Sequence, residues 1–141
     1  METVQYKLVE APHYKRILIF IDPIGKGRPR FWKGKAVTPK KTREYERKIS
    51  EVLRECYKEP MTGSVIMNVN FYLKEPESWS KKKRELLLSH PCMKRPDLDN
   101  LMKSVLDAAN DIAYDDDSNV TSISASKEWA YEGKLEIEFW G

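Results

Sequence analysis

The sequence predicts a single α+β domain in which a mixed β-sheet is packed by two or three helices. Three observations carry this. The 141 residues suffice for one well-buried core but not for two separately stable units. Hydrophobic residues make up 40% and charged residues 33%, with 6 Gly and 8 Pro, which is neither a disordered nor a fibrous composition. Segments of β-type apolar patterning are interleaved with segments of helical periodicity, with no internal repeat.

Taken in order, Lys15–Asp22 is rich in branched apolar residues and stops at Pro23, which predicts a buried strand. The following stretch sets Gly25, Gly27 and Gly34 among cations and the aromatics Phe31 and Trp32, and reads as a mobile basic loop. Thr38 is placed to cap a helix with Pro39 at its first position. Tyr45, Ile49, Val52, Leu53 and Cys56 recur at helical spacing, carrying that helix to about Tyr57. Residues 60–64 supply a turn, and Val65, Met67, Val69, Phe71 and Leu73 alternate along a half-buried strand.

Ser80–Ser89 reads as a short basic helix, followed by loop. Asp97 or Asp99 caps a helix reaching about Ile112, with Leu101, Val105, Ala108, Ala109 and Ile112 in one apolar stripe. Asp99, Lys103, Asp107 and Asp111 repeat every four residues on another face. Val120–Trp129 and Lys134–Trp140 read as two strands turning at Glu132 and Gly133, an antiparallel hairpin that closes the domain.

Several function classes find no support. Cys56 and Cys92 lie in no metal-ligand or disulfide pattern, which fits a reducing, cytoplasmic setting. Cys56 falls on the apolar face of its helix, and Cys92 in a loop. His13 and His90 sit in predicted loops without ligand spacing. The longest apolar run, residues 17–21, is far short of the ~20 residues of a membrane span, so a soluble protein is expected. Residues 1–12 have no basic start leading into an apolar stretch, so no export is expected.

The net charge of +3 conceals a sharp segregation. Residues 25–48 hold ten cations (Lys26, Arg28, Arg30, Lys33, Lys35, Lys40, Lys41, Arg43, Arg47, Lys48) against Glu44 and Glu46, a net of +8. Residues 97–117 hold seven aspartates against Lys103, a net of −6. The first segment suits a polyanion and the second a cation, a pairing that a metal-dependent nuclease requires.

Asp97 and Asp99 are two residues apart, so in extended backbone their carboxylates point the same way beside a helix start. Mg²⁺ takes one or two such carboxylates and fills its remaining positions with water and phosphate; Asp116 or Asp117 offers a third acid. Lys103, one turn after Asp99, is placed to neutralise charge on a phosphate or to orient the attacking water. Taken singly, each feature has a plainer reading: Asp99 as a helix cap, Lys103 as its ion-pair partner, Asp115–Asp117 as a solvated loop. Their combination in one short window favours chemistry.

The stretch Asp97-Leu98-Asp99-Asn100, then Lys103 and Asp107, then Asp116-Asp117-Ser118-Asn119-Val120, resembles the signature of the RusA-type Holliday junction resolvases, small dimeric endonucleases often carried by prophages. Gly27-Arg28-Pro29-Arg30, Thr38-Pro39 and Thr42, Tyr45, Glu46 are similar to that family's N-terminal half, so the likeness runs from about Leu18 to the C-terminus. The resemblance implies residues 15–141 as a RusA-like endonuclease domain with residues 1–14 as an N-terminal extension. It implies Asp97, Asp99 and Asp117 as catalytic, metal-binding acids and Lys103 as the catalytic lysine. Asp116 stays open as an alternative third acid, because three aspartates run consecutively; counting back from Val120 favours Asp117. The implied cofactor is Mg²⁺, with Mn²⁺ as a substitute, and the implied partners are branched DNA and a second copy of the chain, with no membrane.

For DNA contact the candidates are Lys26, Arg28, Arg30, Lys33, Lys35, Lys40 and Lys41, which would hold phosphates without reading sequence. Phe31 and Trp32 either stack on an unpaired base or pack down onto the domain. A rival of another class is a non-catalytic DNA-binding or replication-accessory module whose acids hold a structural ion. A phosphatase or sugar-nucleotide transferase is disfavoured, since no Gly-rich nucleotide loop or catalytic hydroxyl follows Asp99.

Overall fold

The computed structural model describes residues 3–27 and 30–141, with Arg30 entering only through its backbone. The expectations placed on Arg28 and Pro29 therefore lie outside the described residues. Among the described residues, seven strands and three α-helices follow one another as β1 (Tyr6–Ala11), β2 (Tyr14–Ile19), β3 (Arg30–Trp32), β4 (Lys35–Val37), α1 (Lys40–Cys56), β5 (Val65–Lys74), α2 (Lys81–Leu87), α3 (Leu98–Ala109), β6 (Val120–Ala130) and β7 (Lys134–Trp140). Five strands form one mixed sheet in the order β1-β2-β7-β5-β6, with only β5 and β6 parallel. The domain is α+β, as the sequence predicts.

The core lies between one sheet face and the helices. Along β5 the odd positions Val65, Met67, Val69 and Phe71 are fully buried, as period-two alternation requires of a strand covered on one face. Ile17 and Ile19 of β2 and Leu135, Ile137 and Phe139 of β7 continue that face. Against it pack Ile49 and Leu53 of α1 and Leu101, Val105 and Ala109 of α3, all fully buried. Each such large side chain contributes about 1.5–3 kcal/mol by leaving water.

The closing hairpin is not formed. β6 and β7 each pair with β5, which lies between them, β6 in parallel and β7 antiparallel. The uniformly apolar face of β5 explains this, because a strand so buried needs a hydrogen-bonded neighbour on each side. β6 thereby becomes an edge strand, and Thr121, Ser122, Ile123 and Ser124 are exposed along it.

The basic loop also differs from expectation: it contains a two-stranded ribbon, β3 and β4, turning at Lys33 and Gly34 with φ of 50° and 75°. Two successive positive φ angles are what a two-residue hairpin turn demands. Helix α1 starts one residue later than the sequence suggests. Pro39 is its N-cap, with ψ of 144° and no side-chain cap bond, so Thr38 does not cap it. Helix α3 ends at Ala109 rather than near Ile112, because Asn110 is extended and Asp111 takes a φ of 65°. Residues 6–11 form the strand β1, an edge of the sheet paired along its length with β2.

Candidate active site

Helix α3 runs antiparallel to β5 and β6, and this orientation determines where the acidic residues fall. At its C-terminal end, Met61 N donates to Ala113 O at 2.8 Å and Asn119 Nδ2 to Gly63 O at 3.0 Å, which ties that end to the start of β5. At its N-terminal end, Lys127 Nζ of β6 donates to the carbonyls of Lys94 and Pro96, each at 2.8 Å. The chain is thus pinned as it enters Asp97.

Asp97 is the N-cap of α3, in extended backbone with ψ of 149°, yet its side chain makes no capping hydrogen bond. Asp99 stands in the first turn, where the positive end of the helix dipole favours a carboxylate. Asp97, Asp99, Asn100 and Lys103 are all exposed on this end of the helix. Arg95, Pro96, Asp97 and Asn100 line an open groove of about 500 Å³. Among the described residues no salt bridge joins Lys103 to Asp99; the ion pairs along this face belong to Lys26.

Lys26 comes from the basic segment. Its Nζ lies 2.7 Å from Glu46 Oε2 and 2.9 Å from Asp107 Oδ2, and its backbone N donates to Asn100 O at 3.2 Å. Burial works against its charge, but the two carboxylates outweigh that and raise its pKa. Glycines let the segment approach so closely. A Cβ at Gly25 would stand 2.8 Å from Pro96 Cβ, and one at Gly27 would stand 2.8 Å from Thr42 Oγ1, which accepts from Gly27 N. Lys33, Lys35, Lys40 and Lys41 are exposed beyond this anchor, with Lys40 3.9 Å from Glu44.

Asp116 and Asp117 differ in environment. Asp116 caps the short 3-10 turn Asp117–Asn119: Ser118 N donates to its Oδ2 at 3.1 Å, and hydrogen bonds from Ser118 lower its pKa. Asp117 Oδ1 lies 3.2 Å from the hydroxyl of Tyr114, which also donates to Leu106 O at 2.9 Å. Burial raises the Asp117 pKa, and the negative charges of Asp107 and Asp116 raise it further against the opposing Tyr114 hydrogen bond. Tyr114 itself is fully buried, which pushes its own pKa up.

Asp117 therefore neighbours Asp107, eight residues and about 12 Å along the helix axis from Asp99. Within one protomer, the described residues place no three metal-ligating side chains together. The donors are of the right type for a hard cation, exposed carboxylates at a helix start, and Mg²⁺ needs only one or two from the protein. At neither end of α3 do the described residues of one chain gather three acids closely enough to hold one ion.

Sequence reasoning missed Lys127 and Tyr114. Each is a lone polar residue whose partners are main-chain carbonyls or a neighbouring acid, and no spacing announces such a contact. Cys92 lies outside the helices and strands, as the sequence predicts; it is buried, and its N donates to Lys127 O at 3.1 Å. Among the described residues, no helix is long and apolar enough to cross a membrane.

An α+β domain with exposed carboxylates at the start of α3 beside a basic segment suits an endodeoxyribonuclease, an enzyme that hydrolyses phosphodiester bonds within DNA. Residues 21–139 match the family described as Endodeoxyribonuclease RusA, and the chain belongs to that family. It is also similar to Uncharacterized protein YqaN of Bacillus subtilis (strain 168), with 33% identity over 132 residues spanning 86% of this chain and 92% of that protein.

Proposed function

We propose that the protein is a Mg²⁺-dependent, structure-selective endodeoxyribonuclease that resolves Holliday junctions and other branched DNA by paired nicks, acting as a homodimer in the cytoplasm. The observation that carries this reading is at Asp97. A carboxylate at a helix N-cap normally accepts from the helix N–H groups, yet that of Asp97 makes no such bond and is exposed beside Asp99, Asn100 and Lys103.

In this reading Asp97, Asp99 and Asp117 hold one or two Mg²⁺ ions, which supply activation of the attacking water and stabilisation of the leaving oxygen. Lys103 faces the scissile phosphate and offsets the charge that develops on it. Arg28, Arg30, Lys33, Lys35, Lys40 and Lys41 hold the phosphate backbone, while Lys26 fixes their segment against α3. Asp117 is preferred to Asp116 because the Asp116 carboxylate is engaged in capping.

Two considerations support the homodimer. Paired incisions in strands of like polarity call for two sites related by a two-fold axis. The separation of Asp99 from Asp117 along α3 is resolved if each site takes Asp97 and Asp99 from one protomer and Asp117 from the partner subunit.

The test is nicking of a synthetic four-way junction beside a linear duplex of equal sequence, with Mg²⁺, Mn²⁺ or chelator. Metal-dependent, junction-selective nicks are expected, and Asp99→Asn should abolish cutting while leaving junction binding in place. Equal loss of binding and cutting in that variant counts against the reading. Tight binding without cutting under any metal would favour an accessory module with a structural ion, a reading supported by the absence of a three-acid cluster among the described residues of one protomer.

A further inference from the structure

The β3-β4 ribbon carries two aromatic rings that the fold leaves uncovered. Phe31 is 79% exposed and Trp32 69% exposed, among the most exposed large apolar residues described. Directly paired residues of a ladder share a face, so Phe31 lies with Ala36 on one face and Trp32 with Lys35 on the other. The turn at Lys33 and Gly34 stands clear of the domain: a Cβ added at Gly34 would meet nothing within 4 Å. Between them, the two faces present an aromatic ring on each side of a narrow basic tip.

The segment bearing the ribbon is nonetheless held at both ends. Gly27 N donates to Thr42 Oγ1 at 3.1 Å before it, and Pro39 caps α1 after it. Lys26 and Gly25 lock the approach against Asn100 and Pro96, which flank Asp97 and Asp99. The segment that bears the rings is therefore rooted beside the acidic end of α3. Exposed Lys33 and Lys35 at the tip complement phosphate charge. Such a combination of cations with uncovered rings suits base faces emerging from a polyanionic backbone, since every base has a stacking face whatever its sequence.

We propose that Phe31 and Trp32 form a two-sided stacking wedge that occupies the opening at a DNA branch point, each ring covering the base face that ends one arm. This rests on the branched-DNA reading and adds the element by which branches are told from uninterrupted duplex. A continuous helix offers no uncovered base face, so there the wedge contributes nothing and the lysines alone bind. At a crossover the end faces of the arms are accessible, and the stacking energy is gained only there.

The experiment uses the whole protein with chelator in place of metal and four-way junctions carrying 2-aminopurine either at the crossover or in the middle of an arm. Wild type should change the fluorescence of the crossover probe and leave the mid-arm probe unaltered. Phe31→Ala/Trp32→Ala should lose that change and bind the junction at least about tenfold more weakly, with duplex affinity held within about twofold. Phe31→Tyr/Trp32→Phe should restore both, since any aromatic ring stacks. An alanine variant that keeps the crossover signal, or that loses junction and duplex affinity equally, overturns the wedge. If wild type cuts junctions but the alanine variant is indistinguishable from it, the wedge alone falls. If wild type neither binds nor cuts them, the branched-DNA reading falls as well.

Discussion

Lys127 and Pro96 are joined across the sheet edge, the ammonium of one donating to the carbonyl of the other at 2.8 Å. With its equal bond to Lys94 O, this lysine fixes the backbone immediately before Asp97. Lys127→Met leaves both carbonyls without their charged donor. Urea denaturation should show a loss of about 1–3 kcal/mol. Nicking should fall well below the new melting temperature, while junction affinity stays within about twofold. Unchanged nicking in a destabilised variant would restrict Lys127 to a purely structural role.

The separation of Asp99 from Asp117 along α3 yields a complementation experiment. Asp99→Asn and Asp117→Asn homodimers should both be inactive. Mixed after unfolding and refolding, they should form a heterodimer in which one site has both intact acids and the other has neither. Single nicks at up to about a quarter of the wild-type site number are expected, given that roughly half of randomly paired dimers are mixed and each mixed dimer has one intact site of two. If the three acids of each site came from one chain, the mixture would stay inactive.

The basic residues should separate by salt dependence. Each lysine that releases counterions on meeting phosphate contributes about 0.9 to the slope of log affinity against log salt. Lys33→Met/Lys35→Met should therefore lower that slope by about 1.8. Lys26, committed to Glu46 and Asp107, should behave differently: Lys26→Met should leave the slope unchanged and lower thermal stability instead. Fluorescence anisotropy over a salt series, with a melting curve for each variant, measures both quantities.

On the alkaline side, burial lifts the Cys56 thiol from 9.0 to about 11. Between those values the folded chain retains a proton that the unfolded chain has released, so the stability gained from the neutral thiol is complete below pH 9 and lost as pH rises toward 11. Buried Tyr45 and Tyr57, also raised by burial, extend the decline from pH 10 upward. Melting temperatures recorded from pH 8 to 11 should fall over this window. Cys56→Ala should flatten the first part of the fall.

The sequence exposed the elements better than their neighbours. The alternation along Val65–Leu73 and the stripe Leu101–Val105–Ala108 are local signals, and burial follows them closely. Which strands adjoin β5 is not local. A short turn after β6 suggests a hairpin, but the buried face of β5 competes for both partners and takes them. At the site, spacing singled out Asp97, Asp99 and Lys103, because an acid pair at a helix start is a compact pattern; it left the third acid open between Asp116 and Asp117, and the family resemblance favoured Asp117. The distance between the two acidic groups was hidden, since it depends on the direction in which α3 crosses the sheet. The ribbon escaped notice because its strands are three residues each, below the length at which alternation can be read.

The placement of β7 in the middle of the sheet, although it is the last strand in chain order, makes assembly all-or-none. Without it β1-β2 and β5-β6 are two separate pairs with no shared hydrogen bonds. Partners such as Val65 and Val120, 55 positions apart in the chain, must also be brought together, and the closure entropy of that loop must be met before the sheet exists. Refolding should accordingly be slow for a chain of this size and show a single concerted phase rather than a succession of hairpins. A cell carrying this chain would thus have either the whole sheet, with both ends of α3 held in place, or no ordered site at all.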